Sequence, residues 1–257
     1  MAGRFYLSEP GKLEAQVRRF LQAAPEPAGP RPAALVAPHA GYDYSGAVAG
    51  SAYALVTAPG AGIRRVVLLG PSHFVPFPGL ALPECGSFET PLGRHAVDAE
   101  GVRALEGAPG VRVWQRPHRN EHSLEVQLPF LQVVLGPVPV LPIVTGAAEP
   151  WEIAGALERV WTPDTLVVVS SDLSHHLPYA RAKEVDAQTA EDVEHLRIDA
   201  LGPGRACGVV ALRGLVEVAR RRGLKARCVD LRNSGDTSGT RGNVVGYGAF
   251  GFWSAEA

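Results

Sequence analysis

The chain has 257 residues, 46% hydrophobic and 20% charged, with 25 Lys and Arg against 26 Asp and Glu for a formal net charge of −1. This composition supports a sizeable buried core and excludes disorder, and it provides no long-range field to draw in nucleic acid or an anionic membrane surface. No apolar stretch is long enough to cross a bilayer, no basic segment leads into an apolar run at the start, and the cysteines Cys85, Cys207 and Cys228 form no C-x-x-C pair. A cytoplasmic protein without nucleic-acid or membrane partners is expected.

In chain order, Leu13, Val17, Phe20 and Leu21 fall at helical spacing and predict a first helix, satellite to the core, before a Pro/Ala/Gly-rich connection over 24–32. A strand over 34–37 precedes a small-residue helix over 46–56, and a second strand covers 65–70. Prolines and glycines over 74–91 imply a loop with one short strand at 80–82, followed by a short helix over 98–107. Leucines at helical spacing predict a helix over 121–135, which Pro129 breaks or restarts. Strands over 138–144 and 165–170 flank an amphipathic helix over 149–160. A charged helix over 179–196 comes next, and Val209, Leu212, Val216 and Ala219 mark another after Cys207. Strands over 226–232 and 244–253 close the sheet.

The continuous apolar runs read as strands buried on both faces, the pattern of a parallel sheet covered by helices. The expectation is one α/β domain over 1–257, a sandwich with a mainly parallel central sheet flanked by helices. Three of those runs break off into polar segments that present a histidine: Leu35-Val36-Ala37-Pro38-His39, Val67-Leu68-Leu69-Gly70-Pro71-Ser72-His73, and Val167-Val168-Val169-Ser170-Ser171-Asp172-Leu173-Ser174-His175. In a parallel sheet the carboxyl ends share one edge, where ligands bind, so His39, His73 and His175 converge there. Three imidazoles in one cleft point to a metal or to acid–base chemistry. Cys207 stands immediately before a predicted helix, whose free N–H groups favour a thiolate able to ligate a metal or attack a carbonyl. His176 points away from its neighbour, and His95, His118 and His195 carry no positional argument. Asp236 suits a turn as well as a site, and Asn120-Glu121-His122 suits a helix cap as well as a site.

Pro38-His39-Ala40-Gly41-Tyr42, Gly70-Pro71-Ser72-His73, Glu121-His122-Ser123-Leu124-Glu125, Ser170-Ser171-Asp172-Leu173-Ser174-His175, and Gly235-Asp236 with Val244-Val245-Gly246-Tyr247 together resemble the Memo family. Its bacterial and archaeal members are called AmmeMemoRadiSam system protein B, and it is related to the class III extradiol dioxygenases. The resemblance implies a class III extradiol dioxygenase-like fold and a metal set of His39, His73 and Cys207. It further implies Asp172 and His175 in the same cleft and His122 as another catalytic candidate. The dioxygenase relatives use two histidines and a carboxylate, and here a thiol takes the carboxylate's place. A metal ion is the expected cofactor, iron first, with copper or zinc as alternatives. The expected function is a non-haem iron redox reaction on a small organic substrate, with other proteins of the AmmeMemoRadiSam system as partners. The alternatives are a non-catalytic module holding a peptide in the same cleft, and a metal-independent hydrolase with Cys207 as nucleophile, His175 as base and Asp172 as orienter.

Overall fold

The computed structural model describes residues 1–26, 29–57, 62–237, 239 and 241–254. Part of the expected 24–32 connection therefore lies outside the described residues. Helix α1 (Pro10–Ala23) begins with proline in its first turn, and Glu9 caps it. Strand β1 (Ala34–Ala37) leads to α2 (Tyr42–Ala54), and β2 (Arg65–Pro71) leads to the short β3 (Leu80–Leu82). A hairpin of β4 (Ser87–Thr90) and β5 (Gly93–Ala96) follows, then α3 (Ala99–Leu105), capped by Asp98, and β6 (Val111–Val113). Two helices, α4 (His122–Glu125) and α5 (Leu128–Leu135), occupy the leucine-spaced stretch, because Pro129 has no N–H to give and fits only the first turn of a new helix.

Strand β7 (Val140–Thr145) precedes α6 (Pro150–Val160), where Glu149 and Glu152 cap each other's backbone reciprocally. Strand β8 (Thr165–Ser170) runs through a short polar segment into β9 (His175–Pro178) and α7 (Tyr179–Glu194). Helix α8 (Val209–Arg221), β10 (Lys225–Asn233), the single turn α9 (Ser234–Thr237) and β11 (Asn243–Trp253) complete the described chain.

The sheet runs in the order β10-β11-β1-β8-β2-β7-β3-β6, with β9 paired to β11. Its centre, β1, β8, β2 and β7, is parallel. Antiparallel pairs β11–β1 and β7–β3 bound that centre on either side. Side chains alternate between two apolar layers, as the pleat requires. Val36, Val67, Leu69, Val167 and Val169 face α6 and α8, whereas Leu35, Val66, Leu68, Leu166 and Val168 face α1, α2 and α5. Leu13 and Val17 of α1 are fully buried in the second layer, so this helix is part of the core and not a satellite of it. Gly214 of α8 lies so close to α6 that a Cβ there would overlap the Ile153 side chain.

Candidate metal centre

The parallel centre aligns three strand ends, and the polar segments after them build one pocket. Past β1, the chain turns at Pro38 and places His39 in the interior, 1% exposed. Its backbone N–H and that of Ala40 donate to Asp172 Oδ1 at 2.8 and 3.3 Å. The ring lies with Nδ1 2.8 Å from Ser170 Oγ and Nε2 3.2 Å from Cys207 Sγ. Past β2, His73 donates its backbone N–H to Glu121 Oε2 at 2.7 Å and meets Glu121 Oε1 through Nδ1 at 2.8 Å. Glu121 also accepts from Ser123 N at 2.9 Å, so one carboxylate caps α4 and holds His73.

Cys207 is seated by reciprocal bonds with the segment after β8: its N–H donates to Asp172 O at 3.2 Å, and Asp172 N–H donates to Sγ at 3.2 Å. One donor atom each from His39, His73 and Cys207 lie within 4.8 Å of one another. His73, Glu121 and His122 also bring donor atoms within 4.8 Å, with Glu121 Oε1 facing both imidazoles. The His122 ring stacks between Phe5 at 4.5 Å and His73 at 4.6 Å.

Burial dominates the electrostatics. It lowers His39 to about 3, with the neighbouring His73 adding to the effect. It lowers His122 to about 4, again with help from His39 and His73. On Glu121 burial pushes upward, but hydrogen bonds from the His73 side chain and backbone and from Ser123 N win and hold the carboxyl down at about 2. Burial raises Asp172 against the donation it receives from His39 and Ala40. The Cys207 thiol is pushed up, first by burial and then by the Asp172 charge. The expected thiolate-stabilising helix start is outweighed: the Gly208 N–H at the start of α8 pulls the thiol down, but it donates to Ser171 Oγ at 2.9 Å as well, and burial and the Asp172 charge win. Without a cation the pocket therefore holds His39 and His122 as neutral imidazoles and Cys207 as a protonated thiol.

The donor set fits a metal ion. His73 commits Nδ1 to Glu121, which leaves Nε2 for a cation, and two imidazoles with one sulfur suit iron, copper or zinc.

His175 is exposed on β9 with Nδ1–H donating to Leu173 O at 2.8 Å, a bond that leaves its Nε2 uncommitted. Asp172 spends its carboxylate on the turn at His39, and among the described residues no hydrogen bond joins it to His175. Cys207 Sγ likewise pairs with His39 and not with His175, which is not the arrangement a Cys207–His175 hydrolase needs. His176 is exposed with a left-handed φ of 56°. His95, His118 and His195 bond to the carbonyls of Val138, Ala81 and Glu191, as ordinary structural histidines do. Asp236 accepts from Asn233 N and Tyr179 OH, which makes it a turn residue. Sequence reasoning missed the holding roles of Glu121 and Ser170. The available signals were a carboxylate at a helix cap beside a candidate histidine, and a serine closing an otherwise apolar strand.

A family model described as Memo-like protein matches residues 1–250. Among curated proteins, the chain is 33% identical over 274 residues to a MEMO1 family protein of Archaeoglobus fulgidus, covering 98% of this chain and 97% of that one. It is 30% identical over 272 residues to a MEMO1 family protein of Sulfolobus acidocaldarius, covering 96% and 95%. With a MEMO1 family protein of Aquifex aeolicus it shares 35% identity over 230 residues, 84% of each chain.

Proposed function

The chain belongs to the Memo family, with a fold consistent with that of the class III extradiol dioxygenases, and from this premise we propose that it is a metalloprotein acting on a small organic substrate. In this reading His39, His73 and Cys207 hold the ion, iron first, with copper or zinc as alternatives. The observation that carries it is the convergence of two imidazole nitrogens and one sulfur within 4.8 Å at the carboxyl edge of a parallel sheet. A bound redox metal supplies Lewis acidity and one-electron chemistry. The chain supplies the rest. Asp172 fixes the turn that carries His39, and Glu121 fixes His73. His175, with Nδ1 spent on Leu173 O, offers Nε2 to take or return a substrate proton, and His122 walls the cleft beside His73. The protein acts in the cytoplasm, together with other AmmeMemoRadiSam system proteins.

Elemental analysis of protein purified without an affinity tag tests the site: stoichiometric metal in the unmodified chain and sharply lower occupancy in the His39→Ala, His73→Ala double variant. Full occupancy in that variant would sink the assignment. Oxygen uptake by the iron-loaded protein with catechol-like substrates tests the chemistry. His175→Ala is expected to abolish uptake while leaving the metal in place. A second reading draws on Phe74, 61% exposed beside His73 and His122, which suits an apolar side chain of a bound peptide. No oxygen uptake together with tight peptide binding in the cleft would put that reading first.

A further inference from the structure

Ser170 closes β8 and is fully buried beneath His39. We infer that Ser170, itself oriented by Gln127 and Tyr53, is a positioning residue that fixes the tautomer of His39 and so aims a bare Nε2 at Cys207 and the cleft. The consequence for metal binding rests on the metal-site reading; the tautomer does not.

The argument is a count of hydrogens. A serine hydroxyl has one hydrogen to give and two lone pairs with which to accept. Ser170 Oγ lies 2.6 Å from Ser123 O, and a carbonyl can only accept, so the hydroxyl hydrogen goes there. Gln127 Nε2 lies 2.8 Å from the same oxygen and can only donate, so it occupies one lone pair. The orientation of the Gln127 amide is set from its other contacts: Nε2 also donates to Pro38 O at 2.9 Å, while Oε1 accepts from Tyr53 OH at 2.9 Å. The one remaining lone pair of Ser170 faces His39 Nδ1 at 2.8 Å, and that contact forms only if Nδ1 carries the hydrogen. Nε2 is then bare. Its neighbour Cys207 Sγ lies 3.2 Å away, close enough for a thiol hydrogen to be donated to it.

Tyr53, Gln127 and Ser170 are all shielded from water, so no solvent molecule competes for these positions. The two histidines thus receive the same orientation from different partners. Glu121 holds His73 with a charge, whereas Ser170 holds His39 with a neutral hydroxyl and adds no further anion to a pocket already flanked by Asp172 and Glu121. Remove the hydroxyl and the Nδ1–H is buried without an acceptor. The ring then gains by moving its hydrogen to Nε2, the atom a metal needs.

Long-range 1H–15N correlation spectra of the metal-free, 15N-labelled protein at neutral pH read the tautomer directly. The expected result for His39 is a protonated Nδ1 and a bare Nε2; a hydrogen on Nε2 in the unmodified protein overturns the inference. Ser170→Ala is expected to populate the Nε2–H form and to weaken zinc binding about 10- to 100-fold in chelator competition, the usual effect of losing such a partner. Ser170→Thr keeps a hydroxyl and is expected to keep the tautomer and the affinity. Equal losses in both variants would assign the effect to packing and overturn the inference. Should Ser170→Ala fail to fold, the spectrum of the unmodified protein still decides. Absence of zinc binding in the unmodified chain would count against the metal reading alone.

Discussion

A thiol buried against a neutral imidazole keeps its proton until a cation displaces it. Burial raises Cys207 and lowers His39, so the pair stays uncharged in the metal-free protein. Metal binding near pH 7 is therefore expected to release a proton from sulfur and none from His39. Calorimetry in buffers of differing ionisation enthalpy counts it, and a release near zero would show that sulfur does not ligate as thiolate. The same residues mark how far the sequence could be read. His39, His73 and Cys207 were legible because each follows an apolar run or precedes a helical one, and because the motifs match a family. The holding role of Glu121 was not, since a carboxylate at a helix start is explained by capping alone, and only the tertiary fold brings it 2.8 Å from a ring 48 residues earlier.

Among the elements, the parallel strands were the most legible, for strands buried on both faces need unbroken apolar runs. The hairpin β4–β5 was not, because all its residues but the buried His95 are half-buried or exposed and carry no clear alternation. Helix α1 showed its apolar spacing but not its depth, which depends on how tightly it meets α2. Close approach of that kind also governs α6 and α8. Gly214→Ala should raise the helix propensity of α8 by up to about 1 kcal/mol. The added methyl overlaps Ile153, however, and overpacking of a tight interface costs about 1–3 kcal/mol. Net destabilisation of roughly 1–2 kcal/mol by urea unfolding is expected; a more stable variant would mean that the two helices separate freely.

At the scale of the whole molecule, acid sensitivity follows from buried neutral histidines. His118, outside the candidate centre, donates to Ala81 O at 3.0 Å, and burial lowers it to about 4 from its ordinary value near 6.5. The unfolded chain binds this proton more readily, so the stability from keeping His118 neutral is complete above pH 6.5 and is lost as pH falls toward 4. Its full extent is up to about 3 kcal/mol. Urea titrations of the metal-free protein at pH 7 and pH 4.5 should show a smaller difference for His118→Gln than for the unmodified chain; equal differences would remove His118 as a cause. The order of strands at the sheet's centre has a mechanical side as well. His39 follows β1 and His73 follows β2, two strands that never touch because β8 lies between them. An ion gripping both histidines is a clasp across the end of β8, tying together neighbours that backbone hydrogen bonds join only through it. Stretched between its ends in an optical trap, the metal-loaded chain should yield at higher force than the metal-free one, and the difference should vanish in the His39→Ala, His73→Ala variant.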